Sequence, residues 1–106
     1  MARRNLSGLN RRIPNCSMTL RDALLGYFAA GGTEAEIASS WERYFKNNPQ
    51  VKEPFMRTFR EMMADESYSF NDKIAYFLDR LRRTEAEAHK ILEDAWRLAT
   101  GTEWSE

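Results

Sequence analysis

An all-α fold is what this sequence predicts, and three observations predict it. The tetrapeptide Thr-Glu-Ala-Glu occurs at Thr33–Glu36 and again at Thr84–Glu87, and each copy reads as a capping box at a helix start. From Phe70 to Leu98, apolar residues recur in steps of four and three: Phe70, Ile74, Phe77, Leu81, Ala88, Ile91, Ala95 and Leu98, with Thr84 the only polar member. Gly and Pro total eight of 106 residues. The chain is rich instead in Ala, Leu, Met, Glu, Lys and Arg, which favour helix.

Residues 1–18 have no consistent period and contain Gly8, Pro14 and Asn15. They read as a flexible basic arm, and residues 19–106 as a single helical domain. The first helix begins with Thr19 as N-cap and Asp22 three residues on. Leu20, Ala23, Leu24, Tyr27 and Phe28 line one face, and Gly31-Gly32 ends it. The second starts at the Thr33 box, presents Ile37, Trp41, Tyr44 and Phe45, and stops at Asn47-Asn48-Pro49. The third runs from about Val51 or Pro54 to Ala64, with Phe55, Phe59, Met62 and Met63 as its buried face and Pro54 in its first turn. Asp65 to Ser69 connects it to the last helix, which Ser69 caps and Gly101 closes.

That last helix carries the main prediction. Uninterrupted, about 30 residues span ~45 Å, whereas a compact domain of this length is only roughly 33 Å across. The helix would project, and half of its stripe would need a partner. With Ile74, Leu81, Ala88 and Ala95 at heptad position a and Phe70, Phe77, Ile91 and Leu98 at d, Leu78, Leu92 and Ala99 fall at e. The stripe is therefore wide, as in a bundle. The repeated Thr-Glu-Ala-Glu at Thr84 argues the other way, for a new helix that folds back. No Gly or Pro interrupts Phe70 to Thr100, so the expectation is a four-helix domain with one long last helix, a break near Thr84 being the alternative. Ile74, Phe77, Leu78, Leu81, Ala88, Ile91, Leu92, Ala95 and Leu98 form the predicted assembly and partner face. The opposite line of Tyr76, Arg83, Lys90 and Arg97, with Arg82, His89 and Trp96 alongside, reads as a solvated face with ion pairs Asp79–Arg83 and Glu93–Arg97.

Charge is balanced overall but not along the chain. Residues 1–21 hold Arg3, Arg4, Arg11, Arg12 and Arg21 and no acid, so with 16 bases and 16 acids in total the rest carries 11 bases against 16 acids, a net −5. Arg3, Arg4, Arg11 and Arg12 are the predicted phosphate contacts if nucleic acid binds. Gly31-Gly32-Thr33-Glu34-Ala35-Glu36-Ile37-Ala38-Ser39-Ser40 resembles the first helix of the helix-turn-helix in phage regulators and small terminase subunits, which implies a DNA-binding oligomer. The resemblance ends at Ser40, where Trp41 continues the apolar period instead of opening a recognition helix.

Catalysis is not expected. His89 is the only histidine and has no nucleophile at a defined spacing. No phosphate loop, HExxH or GxSxG pattern occurs. Cys16 reads as an incidental reduced thiol, and one Cys with one His argues against zinc. No cofactor, metal, membrane span or small-molecule substrate is expected. The function expected is a cytoplasmic, non-catalytic protein-binding adaptor or regulator that self-assembles. Its size and short helices also suit a phage or mobile-element accessory protein such as an inhibitor of a host complex. The alternative is an oligomeric nucleic-acid binder using the arginine arm.

Overall fold

Helix signals in the sequence become five helices in the computed structural model, which describes residues 9, 11–14, 16, 18–28, 32–78 and 84–105, the side chains of Tyr27 and Phe28 excepted. The first, α1 (Leu20–Phe28), starts as expected, the Asp22 amide donating to Thr19 Oγ1 at 3.2 Å. In α2 (Glu34–Asn47) the Glu36 amide donates to the Thr33 hydroxyl. α3 (Pro49–Ala64) starts earlier than expected, with Pro49 in its first turn and Asn48 closing α2 and opening α3. Pro54 is therefore inside the helix. The proline ring supplies its own φ at Pro49, where a missing amide costs nothing.

The long last helix does not form. Phe70–Phe77 is α4, Glu85–Thr100 is α5, and Leu78 caps the C-terminus of α4. Local chemistry at Thr84 starts α5 as a helix of its own. The Thr84 hydroxyl accepts from the Glu87 amide at 3.1 Å, and the Glu87 carboxylate accepts from the Thr84 amide at 3.4 Å and hydroxyl at 2.9 Å. Both halves of a capping box are present, which satisfies amides that would otherwise be unpaired at a helix start. At the far end Gly101 adopts φ +76° and donates its amide to the Arg97 carbonyl, the left-handed cap expected of it.

Folding back closes the stripe. Ile74, Phe77, Leu78, Ala88, Leu92 and Ala95 are buried within this chain, while Ile91 and Leu98 are half-buried and Leu81 lies outside the described residues. Once α5 is a separate helix, its register is free to turn. Its core face is Ala88, Leu92, Ala95, Trp96 and Ala99, so Trp96, expected on the solvated side, is fully buried. Arg97 pairs with Glu34 and Asp94 and not with Glu93, which takes His89 instead. Asp79, Arg82 and Arg83 lie outside the described residues.

Part of the expected arm packs into the fold, while residues 1–8, 10, 15 and 17 lie outside the described residues. Leu9 and Ile13 are core residues at 0% and 1% exposure. The Leu20 amide donates to the Arg11 carbonyl and the Ile13 amide to the Met18 carbonyl, which ties Arg11 and Ile13 to the start of α1. Two apolar side chains four apart, Leu9 and Ile13, outweigh the polar residues around them, because their burial is worth about 1.5–3 kcal/mol each.

Aromatic rings run through the core in series. Trp41 of α2 meets Phe55 at 4.9 Å, Phe55 meets Phe59 at 6.0 Å, Phe59 meets Trp96 of α5 at 5.4 Å, and Trp96 meets Trp104 of the C-terminal segment at 5.1 Å. α5 packs along α2 and against α4, and α1 sits on α4. The radius of gyration is 13.3 Å, close to the ~13 Å of a compact chain of this length. Among the described residues, no helix is long and apolar enough to cross a membrane.

Thr84→Ala distinguishes the two architectures by sign. In the folded-back chain it removes an N-cap and lowers stability by about 1 kcal/mol. In a continuous helix it would replace a poor helix former by the best and raise stability by a few tenths. Guanidinium unfolding midpoints decide.

Candidate functional site

The corner where α3 gives way to α4 meets the start of α5 and the C-terminal segment. Between them lies a cleft of about 670 Å³. Met63 and Arg60 enter it from α3, Asp65, Glu66 and Tyr68 from the connector, Phe70 and Lys73 from α4, Glu85 and His89 from α5, and Trp104 from the C-terminal segment.

Each wall is held by a specific bond. Ser69 caps α4, its hydroxyl accepting from the Asp72 amide at 3.1 Å. Glu85 then reaches across, its two carboxylate oxygens accepting from the Phe70 amide at 3.0 Å and the Asn71 amide at 2.9 Å. One carboxylate thus sits at the N-termini of both α4 and α5, where helix dipoles favour negative charge. The bond from the Asn71 amide, with that from Phe70, holds the Glu85 carboxyl below its usual range. Asp65 accepts from the Ser67 amide at 2.9 Å and from Arg11 Nη2 at 2.6 Å, and these bonds lower its carboxyl as well.

Aromatic rings complete the cleft. The His89 imidazole stacks on Phe70 at 4.4 Å and 20° between planes, while its Nε2 lies 3.2 Å from Glu93. The Arg60 guanidinium lies over Trp96 at 4.8 Å and over Trp104 at 5.3 Å, and donates to the Ser105 carbonyl at 2.8 Å. Lys73 is buried at 2% exposure, its ammonium donating to the Met63 carbonyl at 3.1 Å and lying 4.7 Å from the Phe70 ring centre. Burial pushes this ammonium below the usual lysine value, and the field of Asp65 offsets part of that.

None of the residues predicted from the sequence as functional lines this cleft. Of the predicted assembly face, Ile74, Phe77, Leu78, Ala88, Leu92 and Ala95 are buried in the chain's own core, Ile91 and Leu98 are half-buried, and Leu81 lies outside the described residues. Of the arginines, Arg3 and Arg4 lie outside the described residues, Arg11 is engaged by Asp65, and Arg12 is exposed. The cleft residues carry a weak sequence signal: Tyr68 and Phe70 are aromatics flanking a cap, and Lys73 is a charge next to the apolar stripe. Among the described residues, no group of three His, Cys, Asp or Glu side chains could hold a metal ion.

Two variants test this account. Glu85→Gln keeps the shape but loses the charge at two helix ends, and lowers stability by about 1 kcal/mol. Because the Glu85 and Asp65 carboxyls are depressed when folded, their contribution is complete above the ordinary carboxylate range of about 4 and is lost as pH falls through the folded values. Thermal melts from pH 6 to about pH 3 should therefore fall less steeply in Glu85→Gln than in the parent. Lys73→Met, which removes a buried charge at similar volume, should leave stability unchanged or raise it by about 1–2 kcal/mol. A loss of several kcal/mol would show that the ammonium is well compensated within the fold. Set against protein-family models, curated proteins and solved structures, the chain matches none, so the function of the cleft has to be sought in its own side chains.

Proposed function

We propose that the chain is a cytoplasmic, non-catalytic protein-binding module, an adaptor or regulator, and that it takes an apolar segment of its partner into the cleft. The observation that supports this is where aromatic surface remains. Most of the described stripe expected to recruit a partner is covered from within, Ile91 and Leu98 staying half-buried, whereas Tyr68, Phe70 and Trp104 stay half-buried around an open cleft. Aromatic side chains in a partly closed pocket are the usual anchors of protein recognition.

Self-assembly loses its reason once the stripe is covered, so the module acts as a single copy. Light scattering should give the mass of one chain at tens of micromolar, about 12.4 kDa. A stable dimer would return the assembly role to Ile91 and Leu98. Affinity capture from the native host, with the parent chain and with Tyr68→Glu, tests the cleft. A partner retained by the first and lost by the second is expected, and an identical set of proteins on both would sink the proposal. Nucleic-acid binding is the competing reading. Labelled duplex DNA at ~50 mM salt that binds the parent, and fails to bind after Arg3, Arg4, Arg11 and Arg12 become Ala, would replace the protein-binding reading with it.

A further inference from the structure

Lys73 is, among the described residues, the one charged side chain that is buried. An ammonium carries three donors, and the Met63 carbonyl takes one of them. No carboxylate among the described residues comes within ion-pair distance of it. A buried cation with carboxylates only at a distance and none in contact is incompletely compensated and costly to keep. Three acids act on it through their fields: Asp65 is held by Arg11 and the Ser67 amide, Glu85 by the amides of Phe70 and Asn71, and Glu66 is exposed on the cleft lining, outside ion-pair distance. The indole N–H of Trp104, on the same cleft, also finds no acceptor among the described residues. The Lys73 ammonium, with donors to spare, and the Phe70, Tyr68 and Trp104 rings therefore line one cavity.

We infer that the cleft receives the C-terminal carboxylate of a partner peptide whose last side chain is apolar. The Phe70 ring lies 4.7 Å from the Lys73 ammonium and also lines the cleft, so charge and apolar surface are within reach of a single residue. A C-terminal residue carries both groups on one Cα. The carboxylate supplies the missing counter-charge and accepts the free ammonium donors, while the side chain packs between Phe70 and Tyr68. The inference rests on the protein-binding reading above for the source of the carboxylate, and on Lys73 alone for its chemistry.

The test is a titration of the ¹⁵N-labelled chain with four probes. These are a hexapeptide Gly-Ser-Gly-Ser-Gly-Phe with a free carboxylate, the same peptide amidated, phenylacetate and phenylacetamide. The free peptide should shift the amides of Met63, Phe70 and Lys73 and bind about tenfold or more tightly than its amide. Phenylacetate should be preferred over phenylacetamide by a similar factor, and Lys73→Met should erase both preferences while melting no lower than the parent. Equal binding of acid and amide in the parent chain, or no shift up to about 10 mM with any probe, overturns the carboxylate site, whatever affinity capture shows. A preference for phenylacetate with no peptide binding overturns the peptide assignment, while the protein-binding reading stands or falls separately on affinity capture with Tyr68→Glu.

Discussion

The Glu85 carboxylate is the interaction on which the rest of this structure depends. It begins α5 while accepting the amides that begin α4, so the N-termini of the two helices are held together by one side chain. Thr84 and Glu87 supply the stop that lets the chain turn, and Glu85 supplies the clasp that fixes where it turns to. Without the fold-back there would be a projecting helix with an open stripe. With it, α4 and α5 pack on each other, most of the described stripe becomes core, and a cleft opens where the two helix starts meet the end of α3.

The core and the cleft are built from one set of rings. The series from Trp41 to Trp96 ends in Trp104, which is packed on Trp96 and Phe59 on one side and lines the cleft on another. Aromatic burial of this kind contributes through area and through edge-to-face contacts together. Beside it sits the buried ammonium of Lys73, whose burial disfavours its charge.

Much of the fold was legible because capping chemistry is local. Thr19, Thr33, Ser69 and Gly101 end or begin helices as their side chains and backbone require. Thr84 was legible as well, and the conflict lay in how to rank it against a register that crosses it unbroken. A seven-residue repeat holds equally for one long helix and for two helices that both face one core, so periodicity alone could not choose. The early segment misled because its apolar residues, Leu9 and Ile13, are sparse and sit among arginines. The cleft was the least legible part. Its residues come from α3, the connector, α4, α5 and the C-terminal segment, and Lys73 looks like any surface lysine until the fold-back covers it.

Asp65 ties this corner to the beginning of the chain. It holds Arg11, which lies between Leu9 and Ile13 in sequence, and its field reaches Lys73, as does that of Arg11 with the opposite sign. The three charges form a small balance across the cleft wall. Drawing Leu9, Arg11 and Ile13 away from the fold would remove one positive charge and leave Asp65 free to neutralise Lys73 from inside. Occupancy of the cleft by an anion and seating of the N-terminal segment would then favour each other, and by linkage each would strengthen the other by the same factor.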